Sequence, residues 1–533
     1  MNRILTLLLI LLVHFCSAQR KLCLIKADKI ISCDSVNSTY TWALIKDGRI
    51  KRLGSGEFKS SEKFETITFN GVVYPGFIDA HCHFAAYALD KYKCNLYNTS
   101  SFEEIIKKLI VYNKTNPYGW IYGVGWNEFN WIKKEVPSKE LLDSLFPNKA
   151  VILKRIDGHT VLCNQKALDL AQITLKDSAI YKDLMGINKN GTLTGILKEA
   201  LVEKIDASVG LIDNKYAKGA LKEMEQHFFE NGLCGLVECG IDSFTQNIEQ
   251  RLYNKKELII GNYYFTKNGG FPPEQENNHN NFLFKGIKVY LDGTLGSKSA
   301  CLLDHYLNTN QKGILLVKPE KLFKLCSLAY NNKWQLAIHA IGDSANRVAL
   351  QTMGVFTSNK DLRWRIEHAQ VVDSADFQLF AKYSIIPSVQ PSHAISDHAW
   401  INNVLNKYTI ENAYQYTKLL KQLDWMPLGT DFPVEKINPI TTFYNAAFGL
   451  DINKNSNLEI IQPINRVAAL KGITIWAAKS VFEEKNIGSI EMGKKANFTV
   501  LSTNLLEDEP EKIKNSAVIS TIVNGKIVYK KGK

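Results

Sequence analysis

His81 and His83 stand one residue apart at the end of an apolar run that begins at Val72. On a strand, successive side chains alternate between faces, so the two imidazoles point the same way and Cys82 points away. Two histidines side by side at the end of a buried strand can hold one metal ion. A pair of satisfied core histidines would read the same. Three further apolar runs each end in one ligand type: Leu336-Ala337-Ile338-His339, Trp364-Arg365-Ile366-Glu367-His368 and Pro427-Leu428-Gly429-Thr430-Asp431. Independent core histidines rarely line up at the ends of successive runs, so the spacing points to a metal centre. Lys288 differs, because it lies inside an apolar run, Gly286 to Leu291. Taken alone it reads as a lysine whose stem packs while its head reaches solvent.

The elements that must carry these residues follow from the patterning. Apolar runs alternate with helical patterns, which argues for βα units around a parallel sheet. Eight strands are expected: the run into His81 and His83, then Gly235 to Cys239, Leu258 to Phe265, Ile287 to Asp292, Leu336 to His339, Arg365 to His368, Ile385 to Gln390, and Pro427 to Asp431. Both ends of the chain are β-like. Leu22 to Ser32 and Thr41 to Leu53 precede the central region, with Lys46-Asp47-Gly48-Arg49 as a turn. Asn497 to Leu501 and Ile519 to Tyr529, around Asn524-Gly525, follow it. The two ends are expected to join in a small β-sandwich. The resulting organisation is 19–74 (first part of the sandwich), 75–465 (barrel) and 466–533 (a helix and the rest of the sandwich). A TIM barrel needs roughly 250 residues, and the surplus here, residues 101–214, falls between the first two strands.

Of the 533 residues, 45% are hydrophobic and 22% charged, which suits a globular chain with a large core. The net charge of +12 is scattered over the sequence, with no basic stretch of the kind that nucleic acid requires. Residues 1–18 read as a secretory signal: Arg3, an apolar stretch from Ile4 to Val13, and small residues Cys16-Ser17-Ala18 at the cleavage point. The stretch is short for a membrane span. A secreted or periplasmic protein is therefore expected. Lipidation at Cys16 is the weaker alternative, because His14 and Phe15 are bulky. Cys82, Cys234 and Cys239 lie in apolar runs and read as small buried hydrophobes rather than bridges.

From Leu22 onward the chain resembles the amidohydrolase superfamily, metal-dependent hydrolases on a TIM (β/α)8 barrel. Within it, the chain is most similar to the branch that includes N-substituted formamide deformylase. The motifs carrying the likeness are Pro75 to Phe84, Gly119 to Asn127, Asp157-Gly158-His159-Thr160, Gly195 to Glu199, Gly286 to Ser297 and Gly488 to Asn497. The resemblance implies that His81, His83 and Asp431 hold one metal and His339 and His368 a second. Lys288, having reacted with carbon dioxide, would bridge them as a carbamate. Histidine and carboxylate ligands suit two zinc ions, without excluding manganese, iron or cobalt. Asp431 then serves as proton carrier.

The resemblance places His159 in a substrate-facing loop, where it would act as a catalytic or orienting group; a loop histidine at the surface would read the same. Trp126, with Trp120, Phe129 and Trp131, lines an apolar pocket or forms the core of the insertion. Lys298 stands where relatives carry an arginine, so a substrate carboxylate would be gripped less specifically. The implied reaction is hydrolysis of a non-peptide carbon–nitrogen bond in a small molecule, an N-acyl or N-formyl amine. The alternatives are a one-metal deaminase of an amino-heterocycle, which lacks the bridging lysine, and a non-catalytic scaffold, which would have lost ligands. Assembly into a homo-oligomer is compatible with the sequence.

Overall fold

The computed structural model describes residues 22–116, 118–208, 214–267, 281–358, 360–453 and 461–532. The signal segment expected at residues 1–18 lies outside them. No helix among the described residues is long and apolar enough to cross a membrane.

Seven parallel strands form the central sheet, in the order Phe77–Cys82, Leu233–Ile241, Gly261–Lys267, Phe282–Tyr290, Gln335–Ala340, Arg365–His368 and Ile386–Ser388. Helices cover the outer face, so these strands are buried on both sides and read as continuous apolar runs. Ile287, Val289 and Ile338 pack outward into the same core as the helix residues Leu322 and Ala349. Alternation then turns Lys288, Tyr290 and His339 inward.

The eighth segment, Pro427 to Asp431, closes the ring without a regular ladder. On one side Gly429 N donates to Val389 O (3.1 Å); on the other, Ala80 N donates to Leu428 O (3.2 Å) and Asp431 N to His81 O (2.7 Å). A Cβ on Gly429 would sit 2.5 Å from His81 N, so glycine permits this close approach. The third strand begins at Gly261 rather than Leu258, because Glu225 Oε1 takes the Ile259 and Ile260 amides (2.6 and 2.8 Å).

Strands from both ends pair into one seven-stranded sheet, ordered Lys526–Lys530, Val518–Val523, Phe498–Leu501, Phe64–Pro75, Leu22–Ile31, Thr39–Lys46 and Arg49–Gly54. Phe64–Pro75 joins the two ends and runs directly into the first barrel strand. Both expected turns have positive φ at their two central residues, Asp47 and Gly48 (52° and 74°) and Asn524 and Gly525 (50° and 75°). That geometry matches the twist of the flanking strands.

The insertion builds its own six-stranded sheet between Cys94 and Lys198, with a core on each face. Val124 faces one core and Trp126 the other, although strict alternation would put them together. A β-bulge at Gly125 (φ 97°) switches the face. The tyrosine ring of Tyr97 fills the space a side chain at Gly125 would need. Trp126 is therefore 1% exposed, with Nε1 donating to Leu153 O at 2.8 Å. The expected pocket role of Trp126 is corrected accordingly: Trp120 and Phe129 reach the cavity and Trp126 does not. Trp126→Ala should cost about 3–5 kcal/mol of stability, read by denaturant unfolding. A change in KM with unaltered stability would return Trp126 to the pocket.

Candidate metal centre

The inward residues at the C-terminal ends of the strands meet in one cavity of about 1230 Å³, whose lining includes His83, His159, Lys288, His339, His368 and Asp431. His81 lies just beneath, fully buried. Barrel enzymes place chemistry at this end.

The imidazoles of His81, His368 and His339 are each held by one nitrogen, which leaves the other free for the centre. His81 Nδ1 meets Glu367 Oε2 at 2.5 Å, His368 Nδ1 meets Gln390 Oε1 at 2.8 Å, and His339 Nε2 meets Gly293 O at 3.1 Å. Such partners fix the tautomer and orientation of a metal-binding histidine. Behind His81, the Arg365 guanidinium hydrogen-bonds Glu367 and also donates to Ala80 O at 2.9 Å. Burial opposes the charge on Glu367, but Arg365 and His81 hold its carboxyl down at about 2. Burial keeps His339 and His368 far below the usual imidazole range, and hence neutral, as metal ligation requires.

The carboxylate of Asp431 closes the group. Its Oδ1 lies 3.0 Å from His83 Nε2 and 3.3 Å from His81 Nε2, but in hydrogen-bond geometry with neither. His81, His368 and Asp431 place one ligand atom each within 4.8 Å of one another. A buried carboxylate oxygen without a hydrogen bond, ringed by imidazole nitrogens, fits a divalent cation better than it fits a packed core. Two strand-end residues have left-handed backbone, His368 (φ 76°) and Asp431 (φ 61°). Alternation would send His368 away from Glu367, and the left-handed turn brings it back. Strain of this kind gathers at functional sites. Asp79 braces the closure: its carboxylate accepts from His81 N (3.0 Å), Thr430 N (3.1 Å) and Thr430 Oγ1 (2.6 Å).

Lys288 is 0% exposed, with Nζ 3.3 Å from His81 Nε2 and 4.8 Å from the Tyr290 ring centre. It snorkels to no surface. His159 arrives from the insertion, its ring 5.2 Å from that of His339, with Nδ1 2.7 Å from Glu199 Oε2. Lys298, also singled out by the sequence, is not part of the cavity lining. The fourth-strand loop instead brings Gly296 to the cavity, beside Arg155. Glu238 points outward, accepting from Ala85 N (2.8 Å) and Asn262 Nδ2 (2.7 Å).

Sequence reasoning gave no role to Glu367, Gln390, Glu199 or His393. His393 Nε2 is 3.6 Å from Asp431 Oδ2, and its ring stacks on His368 at 5.7 Å. Glu367 left a signal, an acidic residue inside an apolar strand beside a ligand histidine, and so did His393, a histidine just past the seventh apolar run.

Fold and site together define a barrel hydrolase. The amidohydrolase family model matches residues 70–529, and the chain belongs to that family. It is 30% identical to Protein LONG AFTER FAR-RED 3 of Arabidopsis thaliana over 91% of this chain and 88% of that protein. It is 23% identical to the N-substituted formamide deformylase of Arthrobacter pascens over 96% and 99%. Its fold is that of an uncharacterized metal-dependent hydrolase from Pyrococcus horikoshii, with a TM-score of 0.73 at 23% identity, covering 92% of this chain and 99% of the other.

Proposed function

We propose that this amidohydrolase cleaves a non-peptide carbon–nitrogen bond, that of an N-acyl or N-formyl amine. The observation that carries the reading is Asp431 Oδ1, without a hydrogen bond, in a cluster with His81 and His368, whose second nitrogens are held by Glu367 and Gln390. The full-length likeness to a formamide deformylase supports the choice of bond. His81, His83 and Asp431 would hold one divalent cation and His339 and His368 a second. When bound, such ions act as Lewis acids on a carbonyl and bring the pKa of water near neutrality.

The chain's own groups do the rest. Asp431 takes the proton of the attacking water on its carboxylate and delivers it to the leaving nitrogen, so that amide and water become acid and amine. His159, oriented by Glu199, holds the carbonyl oxygen of the substrate. Lys288 would supply the remaining ligand: its neutral amine, on taking up carbon dioxide and losing one proton, would become a carbamate anion suited to divalent cations. An unmodified ammonium there would oppose a divalent cation, with no carboxylate in an ion pair with it among the described residues.

One feature tells against the one-metal deaminase. The acidic residue after the fifth strand, Asp343, does not turn to the site: Oδ1 accepts from Leu303 N (2.8 Å) and Ser344 N (2.9 Å). The test is hydrolysis by zinc-loaded protein of a panel of N-formyl and N-acetyl amines, cyclic amides and aminopurines. Release of free amine from the first group supports the reading. Ammonia from aminopurines alone would replace it with the deaminase.

A further inference from the structure

Two histidines of the site are each held by a glutamine from the other's strand, and the two glutamines present opposite ends. Strand Arg365–His368 ends at His368 and leads into Gln370; its parallel neighbour Ile386–Ser388 leads into Gln390 and His393. Gln390 Nε2 donates to Ser388 O at 3.2 Å, so Gln390 Oε1 is the atom that accepts from His368 Nδ1 at 2.8 Å. The hydrogen of His368 is therefore on Nδ1, and Nε2 keeps the lone pair that a metal ligand needs. Gln370 does the reverse, because its Nε2 donates to His393 Nδ1 at 3.1 Å. Here Nδ1 is the acceptor and the hydrogen sits on Nε2. His393 Nε2 is 3.6 Å from Asp431 Oδ2 and has no hydrogen-bond partner, on a residue only 6% exposed. A hydrogen there also suits the carboxylate oxygen it faces, which would repel a lone pair. The two oxygens of Asp431 are thus divided. Oδ1 lies beside His81 and His83, and Oδ2 lies toward His393.

We propose that His393 is a positioning residue for Asp431: its Nε2–H donates to Oδ2 and fixes the plane of the carboxylate, with Oδ1 turned to His81 and His83. This rests on the hydrolase reading above, in which Asp431 carries the proton. With its hydrogen on Nε2, His393 has no lone pair to offer a metal there, so it serves as a donor and not as a further ligand. At 3.6 Å the contact is longer than a hydrogen bond. Contacts of this kind in catalytic sites tighten when the site is loaded. A buried donor without a partner is costly, and closing onto Oδ2 removes that cost. The ring is itself anchored. It stacks on His368 with centroids 5.7 Å apart and planes at 22°, and His393 N donates to Gln390 O at 3.0 Å. Both strands therefore set the direction of the donor. Without it, rotation about the last side-chain bond of Asp431 would tilt both oxygens out of place.

The experiment compares wild type with His393→Phe, His393→Gln and His393→Asn, each loaded with zinc and, separately, with cobalt. Phenylalanine keeps a flat ring against His368 and removes the donor. Glutamine places an N–H where Nε2 stands, and asparagine places it near Nδ1. On the N-acyl or N-formyl amine that wild type cleaves fastest, His393→Phe should lower kcat about 10- to 100-fold with KM within about twofold, as loss of a hydrogen bond to a charged group warrants. His393→Gln should recover much of this and His393→Asn little. Without turnover, the visible absorption of bound cobalt should shift in His393→Phe at unchanged metal content, and His393→Gln should return it to that of wild type. Loss of an ion in His393→Phe would make His393 a ligand and overturns the proposal. Wild-type kcat and spectrum in His393→Phe, or recovery by asparagine as complete as by glutamine, overturns it too. Should His393→Phe fail to fold, the glutamine and asparagine variants decide alone: equal kcat and equal spectra overturn the donor. A cobalt spectrum that shifts with phenylalanine and returns with glutamine, while wild type cleaves no amide, upholds the positioning and overturns the reaction instead.

Discussion

Asp431→Asn is expected to lower kcat about 10²- to 10⁴-fold, the range attributed to a positioned general base. Asparagine keeps the size and shape of the side chain and can still accept a contact at one oxygen, but it cannot take up a proton. It also tolerates the left-handed backbone that Asp431 adopts at φ 61°. The variant should therefore fold, and its thermal unfolding should stay near that of wild type. Measured on metal-loaded protein, retention of near-normal kcat would move the base elsewhere, to His393 or His159.

Lys288→Ala should have an equally large effect by a different route. Lys288 is fully buried on the fourth strand, with its nitrogen 3.3 Å from His81. If its carbamate joins the two halves of the site, removing it should drop the metal content toward one or none per chain and abolish turnover. Alanine leaves space where a small carboxylate can sit, so formate or acetate should restore part of both. Lys288→Arg should not substitute, because guanidinium stays charged and is not carboxylated. Full activity in Lys288→Ala would defeat the bridging role.

Much of the site was legible in the sequence because ligand chemistry and strand ends coincide. His81, His83, His339, His368 and Asp431 each finish a run that alternation and burial make into a barrel strand, and the structure draws them into one cluster. Lys288 was legible as an anomaly, a lysine where the strand is buried on both faces. What escaped detection depends on contacts between distant segments. Gln390 orients His368, Glu199 orients His159 and His393 faces Asp431, and none of these pairs has a sequence spacing that announces it.

Trp126 was misplaced for a local reason: the bulge at Gly125 inverts the face of one residue, and a period-two reading cannot see that. The closing segment at Pro427 to Asp431 was legible as an apolar run. Its broken ladder was not, because that follows from Gly429 packing against His81. Lys298 stood in the right loop, but that loop reaches the cavity through Gly296 instead.

The most direct test of a two-metal, carbamate-bridged centre is elemental analysis of wild-type protein prepared with zinc and bicarbonate. The expected result is two divalent ions per chain. One ion per chain, with full activity, would contradict the bridge at Lys288 and favour one-metal deaminase-like chemistry.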